Sequence, residues 1–144
     1  MKQIQNSTEI KAPVGDVFAS LADPLIQMKY DGEMMRSCEK LSSGPIGKGT
    51  HFRGDFKGMG KIEYEYSEFG QNRLIEHSVK MPFGFMRHRF VFEPANSGSR
   101  LTQSIIIELN VIGKILWPLM MKSMMVKRMR KLNGLLRNYL EHSK

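Results

Sequence analysis

The chain has 144 residues, 41% of them hydrophobic and 25% charged, the size and balance of one globular domain, which excludes a disordered or fibrous chain. Its one cysteine, Cys38, excludes an internal disulfide framework and a cysteine-based zinc site, and fits a reducing compartment. The formal net charge of +8 is uneven: residues 1–112 hold 14 Lys/Arg against 13 Asp/Glu, whereas residues 113–144 hold 8 against 1.

The first segment, Gln3 to Ile10, alternates weakly and is expected to be a strand. Pro13 then suits a first helical turn, and Val14, Val17, Phe18 and Leu21 form the stripe of a short amphipathic helix. Asp23-Pro24 ends it, because the residue before a proline is pushed out of helical geometry. A second short helix is expected over Leu25 to Met28. From Glu33 to Leu109, glycine-rich turns at Gly44–Gly49, Gly58–Gly60, Gly70, Gly84 and Gly98 separate six strands at regular spacing, an antiparallel meander. After Gly113 the period returns to helical. A helix is predicted from Pro118 to about Glu141, with Met121, Met125, Leu132, Leu136 and Leu140 on one side and Lys122, Lys127, Arg130, Lys131 and Arg137 on the rest. Gly134 inside it suggests a close approach by a neighbouring element. The class is α+β, and the long helix must bury its apolar face against a curved sheet.

Four segments, Ile10 to Phe18, Gly44 to Arg53, Ser97 to Thr102 and Leu132 to Glu141, taken together in this order resemble the polyketide cyclase/dehydrase-like family of the START/Bet v 1-like superfamily. Ile10-Lys11-Ala12-Pro13-Val14-Gly15-Asp16-Val17-Phe18 is similar to its opening strand-to-helix signature. Gly44-Pro45-Ile46-Gly47-Lys48-Gly49-Thr50-His51-Phe52-Arg53 resembles its second-to-third strand turn, and Ser97-Gly98-Ser99-Arg100-Leu101-Thr102 its last hairpin. Leu132 to Glu141 resembles the end of its long helix. The resemblance implies a helix-grip fold over residues 1–144: a curved seven-stranded antiparallel sheet around a long C-terminal helix, with two short helices after the first strand. It names no catalytic residue.

Strand alternation assigns the inward faces. Met86, His88, Phe90 and Phe92 share one, as do Leu101, Gln103, Ile105, Ile107 and Leu109, and Ile62, Tyr64 and Tyr66. A few polar groups converging in an apolar interior are what orients a bound small molecule. Tyr64, Tyr66, His88, Phe90, Gln103, Met121 and Met125 are therefore the candidate ligand-binding set. The competing reading makes the tyrosines core aromatics and His88 a neutral histidine satisfied by a neighbouring strand. His51 and His77 fall on faces assigned outward. With Asp55 and Glu76 they offer no ligand spacing on one element, so no metal is expected. No phosphate loop or nucleophile elbow is present, and no cofactor is expected. Cys38 reads as a small strand hydrophobe.

These features point to binding or carriage of a small hydrophobic molecule between sheet and helix. The first alternative is a cofactor-independent cyclase or dehydratase in which His88 or Tyr64 acts as general acid or base. The second is contact with anionic membranes through Lys127, Arg128, Arg130 and Lys131. No nucleic acid is expected, because no basic-aromatic alternation accompanies the charge. The N-terminus has no apolar stretch behind Lys2 and the run Ile115–Met121 is too short to span a bilayer, so a cytoplasmic protein is the expectation.

Overall fold

The computed structural model describes residues 1–142. Strand β1 (Lys2–Ile10) leads into helices α1 (Val14–Ala22) and α2 (Pro24–Asp31). Pro13 opens α1 from extended geometry, and the Asp23 side chain accepts a hydrogen bond from Leu25 N at 2.9 Å, capping α2 ahead of Pro24. Strands β2 (Met35–Lys40), β3 (His51–Phe56), β4 (Gly60–Gly70), β5 (Leu74–Met81), β6 (Gly84–Ala95) and β7 (Gly98–Leu109) follow. The seven strands form one antiparallel sheet in the order β1-β7-β6-β5-β4-β3-β2. This is the helix-grip architecture, with the C-terminal helix seated on the sheet's concave face.

At the β6–β7 turn Gly98 has φ +138°, and a Cβ there would lie 2.6 Å from Ile10 O, so only glycine lets β7 begin against the exit from β1. A bulge between Tyr66 and Glu68 leaves Ser67 unpaired and bends β4. Ser67 Oγ donates to Glu76 Oε1 at 2.7 Å, and Arg89 donates from Nε and Nη2 to Glu76 Oε2 at 2.9 and 2.6 Å. This polar clamp holds Glu76 on the face of β5 opposite Ile75 and Val79, both buried in the core.

The C-terminal helix begins earlier than the expected Pro118. It runs from α3 (Val111–Leu116) through a π-helical turn (Trp117–Met121) into α4 (Lys122–His142). Asn110 caps it, accepting from Gly113 N at 2.9 Å. The buried residues Gly113, Trp117, Met121, Met125 and Met129 recur every fourth position. An α-helix turns every ~3.6 residues, so a strict repeat of four drifts around it. The wider π turn takes up that drift, and Pro118, which has no N–H to give, sits inside it. Gly134 does not mark a close approach: it is exposed, and a Cβ there would meet nothing within 4 Å.

Two clusters fill the interior. One joins α1, the sheet centre and the end of α4, including Phe18, Tyr64, Tyr66, Phe90, Leu132 and Leu136. The other joins β1, β7 and the start of the helix, including Ile4, Ile105, Ile107, Trp117, Met121 and Met125. No helix of the described residues is long and apolar enough to cross a membrane.

Candidate functional site

Strand register builds the site. Tyr66 on β4 pairs with His77 on β5, His77 with His88 on β6, His88 with Ile105 on β7, and Ile105 with Ile4 on β1. This row crosses the concave face of five strands and carries two histidines at its middle. His77 therefore faces inward, which corrects the outward assignment. With Glu76 clamped on the convex side, the pleat turns its neighbour in. His51 faces outward and is exposed, 3.8 Å from Glu65.

The histidines sit among aromatic rings. His77 stacks on Tyr66 with centroids 4.9 Å apart at 4°, and lies 5.2 Å from Tyr64 and 5.5 Å from Phe90. His88 stacks on Phe90 at 4.3 Å, and the two imidazoles meet edge-on at 6.2 Å. Burial disfavours the imidazolium, so the pKa of His77 is lowered to about 3 and that of His88 to about 4. Both are neutral at physiological pH.

Gln103 fixes His88. Its amide nitrogen donates to Asn133 Oδ1 at 2.6 Å and to Met129 O at 3.3 Å, so its oxygen is left to accept from His88 Nε2 at 2.9 Å. His88 thus carries its proton on Nε2 and its lone pair on Nδ1. Asn133 Nδ2 in turn donates to Asn6 Oδ1, tying β6, β7, α4 and β1 into one chain. Gln103 is 0% exposed and its amide is occupied by protein groups. Within the expected set it holds His88 in place.

Both tyrosines are buried and their hydroxyls have partners. Tyr66 Oη donates to Ala22 O at 2.8 Å, and Tyr64 Oη lies 3.4 Å from Cys38 Sγ. Burial raises the pKa of both phenols and of the Cys38 thiol. Phe90 joins them in the aromatic cluster, whereas Met121 and Met125 lie in the other cluster beside Ile105 and Ile107. Met86 packs against both clusters. The methionine pair and the aromatic group thus line different halves of the interior.

Two buried polar atoms have no hydrogen-bond partner among the described residues: His77 Nε2 and Arg128 Nη1. Arg128 was expected on the solvated basic face; its side chain turns inward instead. The guanidinium carbon lies 5.7 Å from the Phe56 ring centroid, and its charge is felt at His88, where it helps keep the imidazole neutral. Burial lowers the guanidinium pKa, and Asp31 nearby opposes that. Asp31, Met34, Arg128, Lys131 and Leu132 bound a crevice of about 10 Å³, room for about one water. Of the other expected basic residues, Lys127 and Arg130 are exposed, and Lys131 Nζ lies 3.6 Å from Glu33. A separate open cleft of about 350 Å³ lies outside the grip, between Lys29 and Tyr30 of α2 and Leu135, Asn138, Tyr139 and His142 of α4.

Sequence reasoning missed His77, Arg128 and Asn133. Ile75 and Val79 share the parity of His77 and signalled its direction. Asn133 stands one residue from Leu132 in the apolar stripe, and no partner for it was visible in the chain. Among the described residues no group of three or more His, Cys, Asp or Glu side chains is placed to hold a metal.

The family model described as "Polyketide cyclase / dehydrase and lipid transport" matches residues 1–141. No curated protein matches the sequence. A START superfamily protein from Mycobacterium smegmatis is similar with a TM-score of 0.79 at 13% identity, covering 99% of each chain. Truncated norcoclaurine synthase from Thalictrum flavum gives 0.76 at 14% identity, covering 99% of this chain and 95% of that one. A Thermus thermophilus protein, TTHA0849, gives 0.75 at 20% identity over 99% of both. At these identities the likeness is one of fold.

Proposed function

Because this chain belongs to the polyketide cyclase / dehydrase and lipid transport family, we propose that it binds and carries a small amphiphile between the sheet and α4. The apolar body of the ligand lies against Tyr64, Tyr66 and Phe90, beside His88 and its anchor Gln103, with Met121 and Met125 as the far wall. An acidic or oxygen-bearing group faces Arg128 and His77. The observation that carries this reading is the pair of buried polar atoms, His77 Nε2 and Arg128 Nη1, without a protein partner. Leaving such a group unsatisfied costs about 1–3 kcal/mol and more when it is charged. A core evolved only for packing would hold apolar side chains there. His77, His88, Met86 and Ile62 point at the helix yet are only half-buried, whereas Tyr66 and Phe90 between them are buried. That pattern supports unfilled space beside the histidines.

Carriage is favoured over acid–base catalysis. Cys38 and Tyr64 are in contact inside the grip, but burial raises both pKa values, so neither ionises near neutrality. His88, oriented by Gln103 with Nδ1 as its lone-pair nitrogen, is the residue on which a cyclase reading would rest.

The test is a matched pair of fluorescent probes, anionic 1-anilinonaphthalene-8-sulfonate and uncharged N-phenyl-1-naphthylamine. Both are expected to bind wild type. Arg128→Gln is expected to weaken the anionic probe about tenfold, the scale of one lost charge-assisted bond, and to spare the neutral one. Absence of binding by either probe overturns carriage, and equal weakening of both overturns the acidic group.

A further inference from the structure

The start of the C-terminal helix exposes what soluble domains ordinarily hide. Val111, Ile112, Ile115, Leu119, Met120 and Met124 are 75%, 58%, 60%, 73%, 56% and 47% exposed. They fall in steps of four, as 111, 115 and 119, and as 112, 120 and 124 with half-buried Leu116 between, the same repeat that the buried side follows. The π turn that keeps Trp117, Met121 and Met125 inward therefore also keeps these six on one outward ridge. Scattered exposed apolar residues are ordinary, but a contiguous ridge marks a surface that meets something apolar.

A second element is pinned beside the ridge. Asn110 N donates to Phe83 O at 3.0 Å and Asn110 Nδ2 to Pro82 O at 2.8 Å, pinning the β5–β6 hairpin against α3. Gly113 makes that contact possible, since a Cβ there would stand 2.3 Å from Phe83 O. The hairpin carries Phe85, 41% exposed and opposite exposed Glu108 in the β6–β7 register, at the end of the sheet where α3 begins.

Charge selects the partner. Residues 109–140 contain no acidic residue, and Lys114 and Lys122 flank the ridge, with Lys127 and Arg130 exposed beyond it. A second copy of this chain docking on the same ridge would bring the two sets of lysines together across a two-fold axis, a like-charge contact. An anionic bilayer instead accepts the apolar side chains at its acyl boundary while the lysine stems reach up to the phosphates. We propose that the ridge along α3, the π turn and the first turn of α4, with the tip of the β5–β6 hairpin, inserts into the interface of anionic membranes. The docking face is thus the exposed side of the helix whose buried side covers the interior.

Co-sedimentation with vesicles tests this, using phosphatidylcholine alone and phosphatidylcholine with a third phosphatidylglycerol. Wild type is expected to bind the second at low salt and to leave as salt rises. Ile115→Ser with Leu119→Ser is expected to lower partitioning at least about tenfold. Lys114→Gln with Lys122→Gln is expected to lower it about 25-fold at low salt, about fivefold per charge. All four side chains point to solvent, so unchanged melting curves are expected to show that both variants fold. Failure of wild type to bind, or binding unchanged by the serine pair, overturns the proposal. A concentration-dependent dimer in sedimentation velocity, dissociated by Leu119→Ser and indifferent to vesicles, assigns the ridge to a second copy instead. The result is independent of probe binding in the interior, so either reading can fail alone.

Discussion

Beneath the start of the helix, Ile4, Ile105, Ile107, Trp117, Met121 and Met125 form a cluster of apolar side chains. Beneath its far half, Leu132 and Leu136 cover Tyr64, Tyr66 and Phe90, with two neutral histidines among the rings and, at the edge, a guanidinium with one nitrogen left without a hydrogen-bond partner. Methionine is adaptable enough to line a variable site or to fill an irregular core. What separates the two regions is where polar groups are left waiting. A cluster without such groups has nothing with which to orient a ligand, so here methionine supplies an apolar wall, and the histidine region is where recognition is to be sought.

The largest expected effect tests the packed half. Ile107 is 0% exposed, and Ile107→Ala is expected to cost about 2–5 kcal/mol in denaturant unfolding. Met125→Trp follows, with an expected loss of about 1–3 kcal/mol from overpacking. An unchanged or raised melting temperature for Met125→Trp means that the methionine half is hollow and erases the contrast.

The histidine half responds to acid. Both imidazoles bind protons less readily in the native protein, near pH 3 and 4, than in the unfolded chain, near 6.5. The unfolded state therefore binds more protons between those values. Stability is expected to be full above pH 6.5, to fall as pH drops below it, and to level off below about 3. His77→Phe is expected to raise stability by about 1 kcal/mol at pH 7, by removing an unsatisfied nitrogen, and to flatten the acid slope. An unchanged slope places the acid sensitivity elsewhere. The smallest effect lies outside both halves: Gly134→Ala, on the open face of α4, is expected to add up to about 1 kcal/mol.

The architecture was legible in the sequence because each element carried its own punctuation: Pro13 and Asp23-Pro24 for the short helices, glycine turns between strands, and a change of period after Gly113. The inward faces of β4, β6 and β7 were legible too, since Tyr64, His88 and Gln103 share their parity with apolar residues and alternate with charged or hydroxyl-bearing ones. The face of β5 was not. Counting from Leu74 puts His77 outside, while counting from Ile75 and Val79 puts it inside, and the buried side chains of Ile75 and Val79 settle which phase the strand takes. Arg128 was misread for a related reason. Its direction depends on Phe56 and Asp31, which approach from β3 and α2, and helical periodicity alone reads an arginine as solvated.

The pairing of β1 with β7 has a kinetic consequence. Ile10 lies opposite Ser99 and Lys2 opposite Ile107, so this ladder joins residues separated by most of the chain, while β3 through β7 pair as successive hairpins. Closing so long a loop is entropically dear and slow compared with local hairpin formation. The meander is expected to assemble first, with β1 closing over β7 afterwards and sealing Ile105 and Ile107 from water. Ile4 sits at that seam, 9% exposed. Ile4→Ala is then expected to speed unfolding while leaving the folding rate nearly unchanged, the signature of a contact made after the transition state.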